Sequence, residues 1–121
     1  MIINHLREGE IFVFGSNCEG RHGAGAAKQA RKWGAEYGKA SGRQGRTYAI
    51  ITKDLRLGRR SIPMSRIQEQ LLVLIEYASE HPNLNFLLTP IGCGLGGYQL
   101  SELEAILPPL PNNILPTWKL V

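Results

Sequence analysis

The tightest constraint on this chain is a pair of glycine-rich loops, each reached from a short apolar run that reads as a β-strand. The first runs Phe12-Val13-Phe14-Gly15-Ser16-Asn17-Cys18-Glu19-Gly20-Arg21-His22-Gly23-Ala24-Gly25. The second runs Leu87-Leu88-Thr89-Pro90-Ile91-Gly92-Cys93-Gly94-Leu95-Gly96-Gly97-Tyr98. Glycine at this density costs backbone entropy and is kept where a positive φ or a close backbone approach demands it. Such loops turn their N–H groups towards an anion, usually a phosphate. Two of them in 121 residues imply one pocket clamped from two sides, suited to a nucleotide-like ligand.

Strand and helix signals alternate along the chain. Glu10–Phe14 reads as a buried strand stopped by Gly15, and Ala24–Tyr37 as an alanine-rich helix opening out of the first glycine loop. Gly38–Arg46 is a basic connector, Tyr48–Thr52 a second strand, and 55–62 a basic loop. Ile67, Leu71, Leu74, Ile75 and Ala78 recur at helical spacing, with Ser65 and Gln68 as a capping box and His81-Pro82 as the stop. Asn85–Thr89 is a third strand. Ser101–Leu107 is a short helix with Ser101 and Glu104 as a second capping box. Prolines 108, 109, 111 and 116 then leave room for one terminal strand around Ile114 or Trp118. This order predicts an α/β sandwich with a mixed, mostly parallel sheet, and one domain over 1–121. Ligands of such sheets sit beyond the C-terminal strand ends, where both glycine loops fall.

No apolar run is long enough to span a membrane, and Met1–Glu10 does not read as a signal peptide, so the expectation is a cytoplasmic protein without a membrane partner. Cys18 and Cys93 sit one in each glycine loop. Their spacing fits neither a zinc site nor a disulfide framework, and they are expected as buried or half-buried reduced thiols. No metal or cofactor is expected. The net charge of +4 hides an asymmetry. Residues 1–66 carry thirteen Lys and Arg against five acids, whereas 67–121 carry Lys119 against five. The basic half suits an anionic partner, either a small phosphate ligand or a nucleic-acid backbone.

Two familiar phosphate motifs are excluded by what they lack. The glycine spacing from Gly15 to Gly20 is that of a P-loop, but the Lys-Ser/Thr pair for phosphate and magnesium is missing. Gly92-Cys93-Gly94-Leu95-Gly96-Gly97 satisfies a dinucleotide fingerprint formally, yet no following strand carries a ribose-binding acid.

The ordered set His22-Gly23-Ala24-Gly25-Ala26-Ala27, Tyr48-Ala49-Ile50-Ile51-Thr52-Lys53 and Pro90-Ile91-Gly92-Cys93-Gly94-Leu95 resembles the macrodomains, the ADP-ribose-binding superfamily. Within it the chain looks most like the branch of terminal ADP-ribose–protein glycohydrolases that act on glutamate. The resemblance spans roughly residues 10–107 and implies a three-layer macrodomain fold. It further implies a site for ADP-ribose, free or on a modified macromolecule. Asn17 and the N–H groups of Gly23, Ala24 and Gly25 would meet the distal ribose and diphosphate. Gly92, Cys93, Gly94 and Leu95 would close from the other side, with Gly96 and Tyr98 completing that loop. Lys53 falls on the lysine that attacks the anomeric carbon in that branch, which needs a partly neutral amine. The branch's catalytic acid follows the Gly-Cys-Gly-Leu segment, and here that position is Gly96. An enzyme of this kind would be an ADP-ribosyl glycohydrolase lacking that acid.

Several residues carry two readings. Lys53 is a nucleophile or a cationic rim residue, and Asn17 a ribose ligand or a cap on its own loop. His22 is a turn residue, a phosphate donor or an acid–base group. Tyr98 packs on the ligand or closes the loop from the core. At the level of the whole chain, the alternative to ADP-ribose binding is a nucleic-acid-binding module using the basic N-terminal half.

Overall fold

A five-stranded sheet built from β-branched and aromatic runs organises the computed structural model, which describes residues 3–120. Met1, Ile2 and Val121 of the expected 1–121 domain lie outside the described residues. The strands are β1 (Glu10–Asn17), β2 (Gly42–Gln44), β3 (Thr47–Lys53), β4 (Asn85–Leu88) and β5 (Ile114–Pro116). Their order is β2-β3-β1-β4-β5. β1 lies at the centre, parallel to β3 and to β4, and β5 adds parallel to β4. Only β2 is antiparallel, on the edge beside β3. The expected α/β class with a mixed, mostly parallel sheet is what the protein adopts.

Strand side chains alternate faces, and the sheet uses both. Ile11 and Val13, Tyr48 and Ile50, and Phe86 and Leu88 point to one face, where α2 (Met64–Ser79) and α3 (Leu100–Ile106) cover them. Ile67, Leu71, Leu74 and Ala78 form the buried stripe of α2. Each of its three large side chains contributes about 1.5–3 kcal/mol by leaving water. Phe12, Phe14, Ala49 and Leu87 point to the other face, under α1 (Gly25–Ala30) with Ala27 and Ala30 inward. Helices on both faces of the sheet make three layers.

Four local expectations are corrected. β1 does not stop at Gly15 but continues to Asn17, pairing Gly15 with Ile50 and Ser16 with Ile51 before a bulge. A Cβ on Gly15 would stand 2.9 Å from Thr52 Oγ1, so the strand passes there because it has none. The first helix is not Ala24–Tyr37. It ends at Ala30, tightens into a 3-10 turn over Arg31–Trp33, and stops at Gly34 with φ of 111°. Gly34 lies against Gly45, where a side chain would meet the Gly45 Cα at 2.9 Å. The connector contains β2, a strand too short and polar to show in the sequence. Neither expected capping box forms. Gln68 instead donates to the Ile106 carbonyl, tying α2 to α3, and the N-terminus of α3 is boxed by Glu102 accepting from the Gln99 N–H at 3.0 Å.

Candidate functional site

The C-terminal ends of β1, β3 and β4 open into a cleft of about 520 Å³. One wall is the first glycine loop and the start of α1; the other is the second glycine loop. Asn17, Gly23, Ala24, Gly25, Lys53, Gly92, Gly94, Leu95 and Gly96, all expected at the site, line it together. Arg21, Thr52, Leu55 and Thr89 line it as well. Arg21 is not among the site residues expected from the sequence, because no local signal sets the direction of an exposed loop arginine.

The first loop is built on Asn17. Its side-chain amide brackets Arg21, with Nδ2 donating to the Arg21 carbonyl at 2.9 Å and Oδ1 accepting from the Arg21 N–H at 2.8 Å. The cap reading of Asn17 is therefore satisfied while the residue still faces the cleft. His22 is not on the cleft wall. Its ring is fully buried, edge-on to Phe14 at 5.3 Å, and Nε2 donates to the Lys39 carbonyl at 3.0 Å. A hint was available in the sequence. α1 offers mainly alanines to cover Phe12 and Phe14, so another ring must complete that layer.

The second loop folds back on itself. The Tyr98 N–H donates to the Gly92 carbonyl at 2.9 Å and the Gly97 N–H to the Gly94 carbonyl at 3.1 Å. A Cβ on Gly96 would meet the Gly92 carbonyl oxygen at 2.7 Å and its Cα at 2.9 Å. Tyr98 is buried beside this turn. Its hydroxyl donates to the Ile62 carbonyl at 2.6 Å, and the Arg60 guanidinium covers its ring at 4.5 Å. Tyr98 thus closes the loop from behind and does not line the cleft. Cys93 also points away, packing against the core under α2 and α3, where burial pushes its thiol pKa up. Cys18 is exposed rather than buried as expected, and both thiols are free.

Lys53 ends β3 half-buried on the cleft floor, and among the described residues no carboxylate lies within ion-pair distance of it. Its neighbour Asp54 is turned into a separate turn and gripped by Arg56, whose Nε and Nη2 donate to its two oxygens at 3.1 and 2.8 Å. Those bonds hold the Asp54 carboxyl below its usual pKa. Arg60 forms the other close pair of this basic segment, donating to both Glu102 oxygens at 2.9 and 2.6 Å.

Polar groups on the cleft wall are unevenly committed. Thr52 and Thr89 hydroxyls donate to the Ser16 and Val13 carbonyls at 3.3 and 2.7 Å. The carbonyls of Asn17, Ala24, Lys53, Thr89, Pro90, Gly92, Gly94 and Gly96 all accept backbone N–H bonds. By contrast, the N–H groups of Gly23, Ala24 and Gly25, and of Gly92, Gly94, Leu95 and Gly96 opposite, have no partner among the described residues. The cleft therefore presents free donors and two cations, with most of its carbonyls used internally and those of Gly23, Leu55 and Leu95 left without a partner among the described residues. Such a surface is suited to anions. No group of three His, Cys, Asp or Glu among the described residues is placed to hold a metal ion, and no helix among them is long and apolar enough to cross a membrane.

Set against known families and curated proteins, the sequence matches no family model and no curated protein.

Proposed function

We propose that this protein is a macrodomain-like module that binds ADP-ribose or a related nucleoside diphosphate in the cleft between its glycine loops. The observation that carries this reading is the donor bias of the two walls. Residues with unpaired backbone N–H groups line a shared space from both sides, with Arg21 and Lys53 adding positive charge. A diphosphate supplies acceptor oxygens for these donors and a negative charge to match the two cations. The position beyond the ends of parallel strands supports the same reading.

Hydrolysis of an ADP-ribosylated macromolecule is a second reading, favoured by the place of Lys53 on the cleft floor. In it the neutral Lys53 amine bonds to the anomeric carbon as the bond to the acceptor breaks, a proton donor must serve the leaving group, and water must then break the lysine–ribose bond to free ADP-ribose and restore the amine. Gly96 cannot be that donor, and Asp54 is held by Arg56. Binding is accordingly the stronger conclusion.

Calorimetric titration with ADP-ribose, AMP and NAD tests it. Binding selective for ADP-ribose is expected, and no heat with any of the three would end the proposal. Lys53→Ala should abolish ADP-ribose release if the protein is a hydrolase, while affinity for free ADP-ribose stays within a few-fold; an unchanged rate excludes the lysine mechanism. Nucleic-acid binding would show instead as a steep loss of affinity with salt, with a log–log slope of about −0.9 per duplex phosphate neutralised.

A further inference from the structure

We infer that the turn over 54–61 is a brace that sets the spacing of the two cleft walls, with Glu19 and Ser61 as positioning residues for the ligand; the inference rests on the diphosphate reading above. Neither residue lines the cleft. The turn is closed at its base. The Asp54 N–H donates to the Ser61 hydroxyl at 2.7 Å, and that hydroxyl reaches back to the Asp54 carbonyl at 3.3 Å. The N–H groups of Leu57 and Gly58 donate to the same carbonyl at 3.0 and 2.9 Å. Arg56 grips the Asp54 carboxylate, so the turn is stiff from its base to its tip.

Its two ends reach opposite walls. The Leu55 N–H donates to Glu19 Oε1 at 3.2 Å, and Arg56 Nε lies 3.8 Å from Glu19 Oε2, which fastens the turn to the first glycine loop. At the far end the Arg60 N–H donates to the Gly96 carbonyl at 2.7 Å, and Arg59 lies against Gly97. Arg60 has a φ of 57° at that joint, the one positive value outside glycine among the described residues. A side-chain-bearing residue keeps such a conformation only where its surroundings impose it. The free N–H groups of Gly23–Gly25 stand on one braced wall, and those of Gly92 and Gly94–Gly96 on the other. A diphosphate that bonds to both walls is therefore sensitive to a distance that Glu19 and Ser61 help to fix.

Titration calorimetry of ADP-ribose into the full chain tests this. Glu19→Ala should weaken ADP-ribose by about two- to thirtyfold, the usual range for a residue acting on a site through its neighbours. Charge alone gives the opposite sign, because removing an acid beside cleft-lining Leu55 favours an anion. Glu19→Gln makes the same charge change but keeps an acceptor for the Leu55 N–H, so it should restore most of the affinity. Ser61→Ala changes no charge and should weaken binding as Glu19→Ala does. The double variant should be no weaker than the weaker single one, whereas losses at independent sites multiply. The Gly97 and Tyr98 amides, in the opposite loop, should exchange hydrogen faster in Glu19→Ala. Undiminished affinity in either single variant would overturn the inference and leave the diphosphate reading intact. So would a Glu19→Gln as weak as Glu19→Ala, multiplying losses, or unchanged exchange in the second loop. Silence from the wild type with ADP-ribose would instead remove that reading, and this inference with it.

Discussion

The two glycine loops face each other across one cleft, yet they are held in opposite ways. The first is seated on its surroundings by side chains. Asn17 closes it, His22 plugs it into the layer over Phe14, and Gly20 rests against Gly38. The second is held by the near-absence of side chains. Gly96 lies on the Gly92 backbone, and Tyr98, Arg60 and Arg59 back it from behind. A loop built on anchors fails when atoms are removed. A loop built on self-contact fails when atoms are added. Both leave N–H groups of cleft-lining residues unspent, Gly23–Gly25 in the first and Gly92 and Gly94–Gly96 in the second, which is the property a phosphate site needs.

Gly96→Ala should give the largest effect. The new Cβ meets backbone of Gly92 rather than a movable side chain, so the loop must open. We expect a loss of about 3 kcal/mol, at the upper end of the usual overpacking cost, and loss of ADP-ribose binding. Urea denaturation and calorimetry read the two. Retained stability and affinity would show that the second loop is not held by this contact. The same crowding bears on chemistry, since any acid introduced at 96 has to displace Gly92 first.

His22→Ala is the matching cut in the first loop. It removes a fully buried ring but also a ring nitrogen, Nδ1, that is buried without a partner. The cavity cost is therefore partly offset, and we expect about 2 kcal/mol, near the low end for large-to-small changes in a core. ADP-ribose affinity should fall with it, because Gly23–Gly25 follow directly. Unfolding that is unchanged by His22→Ala would mean that Asn17 alone seats the loop.

Much of this arrangement was legible because strands and helices write themselves as periods. β3 and β4 were placed to within a residue, and the α2 stripe of Ile67, Leu71, Leu74 and Ala78 was read directly. The convergence of both loops followed from parallel strands alone. What escaped was set by tertiary packing at positions with no period. Cys93 takes a ligand reading, and His22 and Tyr98 take one beside a structural reading, because their loops do. A loop does not reveal which of its side chains turn inward. The stop at Gly34 of the 3-10 turn that follows α1 depends on Gly45, eleven residues further along the chain. β2, with the sequence Gly-Arg-Gln, has no strand propensity and forms only because β3 presents an edge. The commitment of the Asn17 amide and of the wall carbonyls, which gives the cleft its donor bias, is likewise a property of assembled geometry.

The smallest effect concerns the clamp behind the second loop. Arg60 donates its backbone N–H to the Gly96 carbonyl at 2.7 Å and its guanidinium to Glu102, which links that loop to the start of α3. The Arg60 hydrogen bonds, with the Gln99 N–H adding to them, bring the Glu102 carboxyl down from 4.5 to about 2. A folded pKa below the unfolded one stabilises the fold above the unfolded value. That contribution fades as pH drops from about 4.5 and is gone below about 2. Glu102→Gln should therefore lower the melting temperature slightly at neutral pH and flatten its fall across that acid window. The pair is solvent-exposed, so the change is screened and should shrink further with added salt. An acid limb identical in the two proteins would show that the second loop keeps its shape through glycine contact alone, with Arg60 contributing only its backbone N–H.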